Sequence, residues 1–161
     1  MSKVRKYLST TTWTGNLGVG TQSYKAYSRD FESAGEKKAT PIQGSSDPAF
    51  RGDAARYNPE ELLVSALSAC HMLWVLHLCA DAGIVISEYA DDAIGEVVEH
   101  PDGAAEFTSV TLRPRMVIQD RARIEDATEL HHRAHEVCCL ARSVNFPVRT
   151  EPTVLAAAQG E

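Results

Sequence analysis

The sequence predicts a single mixed domain in which β-strands surround one long buried helix, with a second helix nearer the C-terminus. The chain has 161 residues, a length typical of one domain with its own hydrophobic core. An almost uninterrupted apolar run extends from Leu62 to Ala80, and the segments around it alternate with the two-residue period of strands. We therefore expect one domain over residues 1–161.

Two strand-like segments come first. Residues 4–14 and 18–28 are rich in Thr, Val, Tyr and Trp, and Gly15-Asn-Leu-Gly18 separates them. Such segments on either side of a glycine-containing turn predict a hairpin. The polar stretch 35–56 then predicts a long loop. Because structureless loops of that length are uncommon in compact domains, we expect it to have a function, such as forming a wall of an active site.

The long helix has clear start and stop signals. Asn58 can cap its N-terminus, Pro59 suits the first turn, and Glu61 completes a capping box. Gly83 favours an end near that residue. After it, the sequence predicts two strands, over residues 84–100 and 105–119, with a turn at 101–103 between them. A helix over 124–144 then ends before Pro147, and a last strand follows over 148–155.

The long helix is apolar on nearly every side. Its length would allow it to cross a bilayer, but its two histidines, its polar flanks and the neighbouring strands favour a helix buried in protein. A helix of about 28 Å needs cover all round. The strands and the single other helix of one chain supply little of that cover, so we expect a homodimer with an extensive, intertwined interface.

Composition argues against several classes of binding partner and against secretion. A net charge of -6 argues against binding nucleic acid or an anionic membrane surface. Four cysteines, in two clusters, are too few for the disulfide framework of a small secreted protein. The N-terminal residues lack the apolar core of a signal peptide. We therefore expect a cytoplasmic protein, in which any disulfide would be transient.

Two thiols far apart in the sequence suggest redox chemistry. Cys70 and Cys138 each have a histidine nearby in a helix-like segment, and if the two segments meet, one thiol can be oxidised and the other can resolve it. Cys79 is nine residues from Cys70, hence on the opposite helix face, and is expected in the core. Cys138 and Cys139 are adjacent, so only one of them can face the first helix.

The second helix offers a competing interpretation. His131, His135 and Cys138 are spaced i, i+4 and i+7, which is ligand spacing for zinc or a similar metal. A half-buried polar face is the commoner explanation of such a stripe. A metal-binding or metal-sensing dimer therefore stays as an alternative function, and a non-catalytic binder of small ligands is a third.

Three stretches of the sequence resemble one known family. They are Tyr57–His71 (YNPEELLVSALSACH), Ala134–Cys138 with Ser143–Val148 after it, and the loop Gly44–Asp53. Together they resemble the osmotically inducible protein C and organic hydroperoxide resistance (OsmC/Ohr) family, and its OsmC-like branch in particular. The resemblance implies an α+β fold, antiparallel sheets around a central helix, and an obligate swapped dimer. It also implies thiol-dependent reduction of hydroperoxides at the subunit interface, in the oxidative stress response, with no bound cofactor.

The resemblance also implies roles for individual residues. Cys70 matches the cysteine that reacts with the peroxide, and Cys138 matches the resolving cysteine, which leaves Cys139 as an extra thiol. Glu60 matches the family's glutamate at the helix start. Ten helical residues separate it from Cys70 by about 15 Å, so it would serve the partner chain's thiol or orient the activating arginine. An external dithiol would reduce the disulfide.

The activating arginine has three candidates. Burial alone would raise the pKa of a mid-helix thiol, so a cation must stabilise the thiolate, and a guanidinium is always charged and donates several hydrogen bonds. Arg51 fits the family's loop best, and Arg29 and Arg56 are the rivals. We expect the arginine to act mainly on the transition state, by stabilising the alkoxide that develops as the O–O bond breaks.

Overall fold

The computed structural model describes residues 3–158, so the domain predicted over 1–161 includes five terminal residues outside the described part. Backbone contacts divide the chain after Leu62 into two compact units, and whether the chain is a single domain stays a prediction. The elements are the strands β1 (Thr10–Trp13), β2 (Phe31–Ala34), β3 (Ile42–Gly44), β4 (Ile86–Asp91), β5 (Ile94–Glu99), β6 (Ala105–Leu112), β7 (Pro114–Ile118), β8 (Val148–Thr150) and β9 (Thr153–Ala156), and the helices α1 (Pro59–Asp81) and α2 (Ile124–Val137).

The first unit contains one antiparallel sheet, in the order β1-β2-β3. The predicted hairpin between 4–14 and 18–28 is wrong, because β1 pairs with Phe31–Ala34 instead. Residues 18–28 form turns that fold back on the end of β1, where the Trp13 indole donates a hydrogen bond to the Ser28 carbonyl at 2.8 Å. Gly15 permits this close approach, since a Cβ there would lie 1.9 Å from the same oxygen.

The predicted loop over 35–56 is also partly wrong. It contains β3 and a short 3₁₀ helix, Pro48–Phe50, whose first turn is capped by the Asp47 carboxylate. Arg51 ends that helix with a left-handed backbone, at φ 66°. Gly52 follows because no larger residue fits there: a Cβ would lie 1.5 Å from the Ser46 carbonyl oxygen. The segment is therefore an ordered loop rather than a structureless one.

The start and end of α1 are as predicted. The Asn58 N–H donates to the Glu61 carboxylate at 3.0 Å, and the Glu61 N–H donates to the Asn58 side-chain oxygen at 2.8 Å, which is the reciprocal pattern of a capping box. At the other end Gly83 has φ 69°, and the Ile84 N–H bonds to the Cys79 carbonyl at 2.8 Å. A glycine in the left-handed region thus closes the helix.

The second unit has two three-stranded sheets, β4-β7-β9 and β5-β6-β8. The predicted strands 84–100 and 105–119 are each two strands, because the hairpin that they form crosses from one sheet into the other. Asp91 marks the crossing: its carboxylate accepts hydrogen bonds from the Ser68 hydroxyl at 2.6 Å and from the Arg113 N–H at 2.7 Å. The turn predicted at 101–103 is present, with Gly103 at φ 87°.

The C-terminal elements are also more divided than predicted. The predicted helix 124–144 ends at Val137, and a separate 3₁₀ helix, Ala141–Ser143, follows it. The predicted last strand, 148–155, is two strands separated by Pro152. β8 runs parallel to β6 and β9 runs parallel to β7. Each sheet is therefore completed by a strand distant in sequence.

A single stripe of α1 is buried within the chain. Leu67, His71, Val75 and Cys79 recur at every fourth residue and are the buried residues of the helix. Val75 and Cys79 join a core cluster formed with strands of the β4-β7-β9 sheet and with α2, and Leu67 joins a second cluster against β6 and β8. The expectation that Cys79 is a small core residue is confirmed. The two helices and the sheets form the α+β fold expected from the sequence.

By length and composition alone, α1 is long and apolar enough to cross a bilayer, and it is the one such helix in the described residues. Core helices of soluble proteins meet the same test. The buried stripe of α1 contacts strands of the two sheets of the second unit and α2.

Candidate active site

Two segments of the second unit bring the predicted pair of thiols together. Cys70 lies midway along α1, and Cys138 directly follows the last residue of α2. The Cys138 thiol donates a hydrogen bond to the Cys70 sulfur at 2.8 Å. This separation is longer than the disulfide bond length of about 2.05 Å, and both cysteines are free thiols. A small movement of either side chain would allow a bond between them.

The two sulfurs differ in their access to solvent. Cys138 is 1% exposed, while Cys70 is only half-buried. Cys70 is therefore the member of this pair that solvent can reach. The adjacent Cys139 is exposed, and its sulfur lies 3.9 Å from that of Cys70.

The protein surroundings of Cys70 favour the neutral thiol. Burial raises the pKa of Cys70 above its ordinary value, and electrostatic repulsion from the Cys138 sulfur adds to the rise. A backbone hydrogen bond at Leu140 acts in the opposite direction without reversing the shift. A reactive thiolate at neutral pH consequently needs a positive charge from another source.

A pair of buried histidines lies beside the thiols. His71 follows Cys70 on α1, and its Nε2 is 3.1 Å from Nδ1 of His131 on α2. The rings stack with 5.3 Å between their centroids, and the Tyr89 ring also stacks with His131, at 6.3 Å. The second nitrogen of each imidazole is buried without a hydrogen-bond partner. The pair joins the two helices that position the cysteines.

The predicted metal stripe is not assembled as a ligand set. His131 contacts His71, and Cys138 contacts Cys70, so two of its three members pair with α1 rather than with each other. No three His, Cys, Asp or Glu side chains within residues 3–158 form a group that could hold a metal ion.

The buried histidine pair is expected to make the stability of the fold depend on pH. Burial lowers the pKa of both His71 and His131 to about 4, from an ordinary value near 6.5. The folded state therefore resists protonation, and the unfolded state takes up protons first as the pH falls. We expect stability to be complete above pH 6.5 and to decline between about 6.5 and 4, by about 3 kcal/mol or more for the pair together.

Denaturant unfolding at pH 7, 5.5 and 4.5 measures this decline. The variant His71→Gln/His131→Gln should lose most of the pH dependence. The control is His77→Gln on the exposed side of the same helix, which should keep it. Equal stability of the wild-type protein at pH 7 and 4.5 would contradict the assignment.

The remaining candidate residues lie in the first unit. Glu60 is exposed in the first turn of α1, and Arg51 is exposed at the end of the 3₁₀ helix. The Arg29 guanidinium donates to the Tyr27 and Tyr24 carbonyls and lies over both of their rings. Arg56 contacts three polar side chains, those of Asp30, Asp53 and Gln43. Of the three arginines, Arg51 alone has no side-chain partner among the described residues.

Two features of the site are not predicted by the sequence. The exposed Cys139 reaches Cys70, although adjacency to Cys138 suggests that only one of the two thiols would face α1. The contact between His71 and His131 also has no sequence signal beyond the occurrence of both residues in helices. Both features depend on how the two helices meet.

The family model described as OsmC-like protein matches residues 52–153. The chain belongs to the OsmC-like family. An OsmC-like protein of unknown function from Vibrio cholerae is 29% identical, with a TM-score of 0.83, over 92% of this chain and 99% of that one. No curated protein matches the sequence.

Solved structures with lower identity share the fold of this OsmC-like protein. An organic hydroperoxide resistance protein from Elizabethkingia anophelis, crystallised with thiocyanate, is 19% identical with a TM-score of 0.68, over 98% of this chain and 100% of that one. A putative organic hydroperoxide resistance protein from V. cholerae has captopril bound in one of its active sites. It is 22% identical with a TM-score of 0.65, over 96% of this chain and 94% of that one. The OsmC/Ohr resemblance drawn from the sequence is thus confirmed.

Proposed function

We propose that this OsmC-like protein is a thiol-dependent peroxidase that reduces organic hydroperoxides. The observation that carries the proposal is the pairing of a half-exposed Cys70 with a buried Cys138, with 2.8 Å between their sulfurs. Such a pair suits a cycle in which one thiol meets the substrate and the other completes a disulfide. Two relatives in fold are described as organic hydroperoxide resistance proteins, which supports this substrate class.

The proposed cycle has three steps. The Cys70 thiolate attacks the peroxide oxygen, the O–O bond breaks, and the released alkoxide takes a proton to leave as an alcohol, so that Cys70 becomes a sulfenic acid. The Cys138 sulfur then attacks the Cys70 sulfur, which releases water and forms a disulfide. An external dithiol reduces that bond by two thiol–disulfide exchanges and becomes a disulfide itself.

The proposed cycle requires a cation, since the pKa of Cys70 is raised by burial. We assign this role to Arg51, because the guanidinium groups of Arg29 and Arg56 already have partners. Arg51 would stabilise both the thiolate and the developing alkoxide. Glu60 would orient this arginine or act at the site of a partner chain.

We also propose that the active protein is a homodimer. Only one stripe of α1 is buried within the chain, and Leu73 on another side of this apolar helix is 61% exposed. Val85, Ile94 and Val97 are exposed as well. A second copy would cover these apolar surfaces. The cytoplasm suits the proposed chemistry, because its thiol systems would reduce the protein between turnovers.

Stopped-flow mixing of the reduced protein with tert-butyl hydroperoxide tests the function. We expect rapid peroxide consumption, with a Cys70–Cys138 disulfide found by peptide mass analysis. The matched variant is Cys138→Ser/Cys139→Ser, which removes both thiols near Cys70. It should consume about one equivalent of peroxide and accumulate oxidised Cys70. Sustained turnover by this variant would contradict the resolving role. No reaction of the wild-type protein would favour a non-catalytic binder.

A further inference from the structure

Cys139 forms a third member of the thiol cluster, and the two-cysteine cycle leaves it unused. We propose that Cys139 is an exchange thiol that moves the disulfide from the buried Cys70–Cys138 pair to the protein surface, where an external dithiol can reduce it. The proposal rests on the proposed function and adds the route by which the oxidised site is reopened.

Burial creates the need for such a thiol. Cys138 is 1% exposed and Cys70 is half-buried, so a disulfide between them offers little sulfur surface to an external reductant. Exchange requires a thiolate to reach a disulfide sulfur directly. Cys139 is the exposed member of the cluster, and a disulfide that includes it presents an accessible sulfur.

The local backbone allows Cys139 to reach Cys70. Their sulfurs are 3.9 Å apart, so a disulfide of about 2.05 Å requires an approach of roughly 1.9 Å. Cys139 lies beyond the end of α2, in a turn, where its side chain is exposed and can change rotamer. The turn itself is held in place, because the Ser143 hydroxyl donates to the Cys139 carbonyl at 2.7 Å and the Arg142 N–H donates to the Cys138 carbonyl at 3.1 Å.

The exchange needs no added oxidant. The Cys139 thiol loses its proton and attacks the Cys70 sulfur of the Cys70–Cys138 disulfide. The Cys138 sulfur leaves with the electron pair of the broken bond and takes up a proton. The product is a Cys70–Cys139 disulfide and a free Cys138 thiol, with no net oxidation. The external dithiol then attacks Cys139.

The pKa of Cys139 is raised, by desolvation first and then by its contact with Cys70. Few Cys139 side chains are thiolates at neutral pH, and the exchange should accelerate as the pH rises.

Two measurements test the proposal. The first treats Cys138→Ser with diamide, a two-electron thiol oxidant, and maps its disulfides by mass spectrometry. We expect a Cys70–Cys139 bond, and none in the control Cys138→Ser/Cys139→Ser. The second follows the reduction of peroxide-oxidised protein by dithiothreitol. Oxidised Cys139→Ser should be reduced roughly tenfold more slowly than the wild type, because only the less accessible sulfurs remain.

The proposal is overturned if diamide yields no Cys70–Cys139 bond, or if oxidised Cys139→Ser is reduced as fast as the wild type. Failure of the peroxidase function looks different. In that case peroxide would not oxidise the wild-type protein, whereas diamide would still form the Cys70–Cys139 bond in Cys138→Ser. Cys139 is at an exposed position, so loss of folding does not explain a result with Cys139→Ser. Because Cys138 is buried, the thermal unfolding of Cys138→Ser is compared with that of the wild type before oxidation, and the two should unfold cooperatively.

Discussion

Replacing Cys70 by serine is expected to abolish peroxide reduction, with a loss of roughly a thousandfold or more in the rate constant. A serine hydroxyl is scarcely ionised at neutral pH and does not form the sulfenic acid that the cycle needs. Neither other thiol of the cluster replaces it, because Cys138 is buried and the exposed Cys139, whose pKa is raised, supplies little thiolate at neutral pH. Consumption of tert-butyl hydroperoxide by the reduced variant, followed under single-turnover conditions, measures the loss.

The matched control for this variant is Cys79→Ala. Cys79 lies on the same helix, but its side chain belongs to the core cluster formed with Val75 and α2 rather than to the thiol cluster. We expect the control to lose some stability and to keep the rate of the wild type. If Cys70→Ser still consumed peroxide and Cys79→Ala did not, the assignment of Cys70 as the reacting thiol would be wrong.

The variant Arg51→Lys is expected to lose about a hundredfold or more in the rate of peroxide reduction. Lysine keeps the positive charge but not the planar, multiply donating guanidinium that can hold the thiolate and the developing alkoxide together. The fraction of Cys70 present as thiolate should change much less. Full ionisation of a free thiol gains at most a factor of about 30, so a larger loss of rate would locate the effect in the transition state.

Two measurements separate thiolate ionisation from transition-state stabilisation. Ultraviolet absorbance across a pH titration gives the fraction of thiolate, and single-turnover kinetics gives the rate of peroxide reduction. Arg29→Lys and Arg56→Lys serve as comparison variants, since those guanidinium groups have partners of their own. Equal losses of rate and thiolate in Arg51→Lys would mean that the arginine only ionises the thiol. A greater loss of rate in Arg56→Lys than in Arg51→Lys would transfer the role to Arg56.

Local signals in the sequence predicted the elements that local interactions define. The start of α1 follows from Asn58 and Glu61, which bond to each other within one helical turn, and its end follows from the left-handed Gly83. The turn at Gly103 was predicted for the same reason. In each case the residues that specify the feature are only a few positions apart.

Non-local pairing explains the wrong predictions. The hairpin after α1 changes sheet at Asp91, whose hydrogen bonds go to Ser68 and Arg113, each more than 20 positions away. β1 pairs with Phe31–Ala34 rather than with the next strand-like segment. Alternation of apolar and polar residues reports which face of a strand is buried, but it does not report which strand lies beside it.

By itself the sequence determined the family, the α+β fold, and the candidate pair Cys70 and Cys138, because their motifs are contiguous and specific. The tertiary structure alone decided that Cys139 also lies near Cys70, that His71 pairs with His131, and which arginines are already engaged. The physical reason is that helical periodicity determines the direction of a side chain around its own helix axis. Which side chain it meets depends on how separate elements pack, and that packing is a property of the whole core.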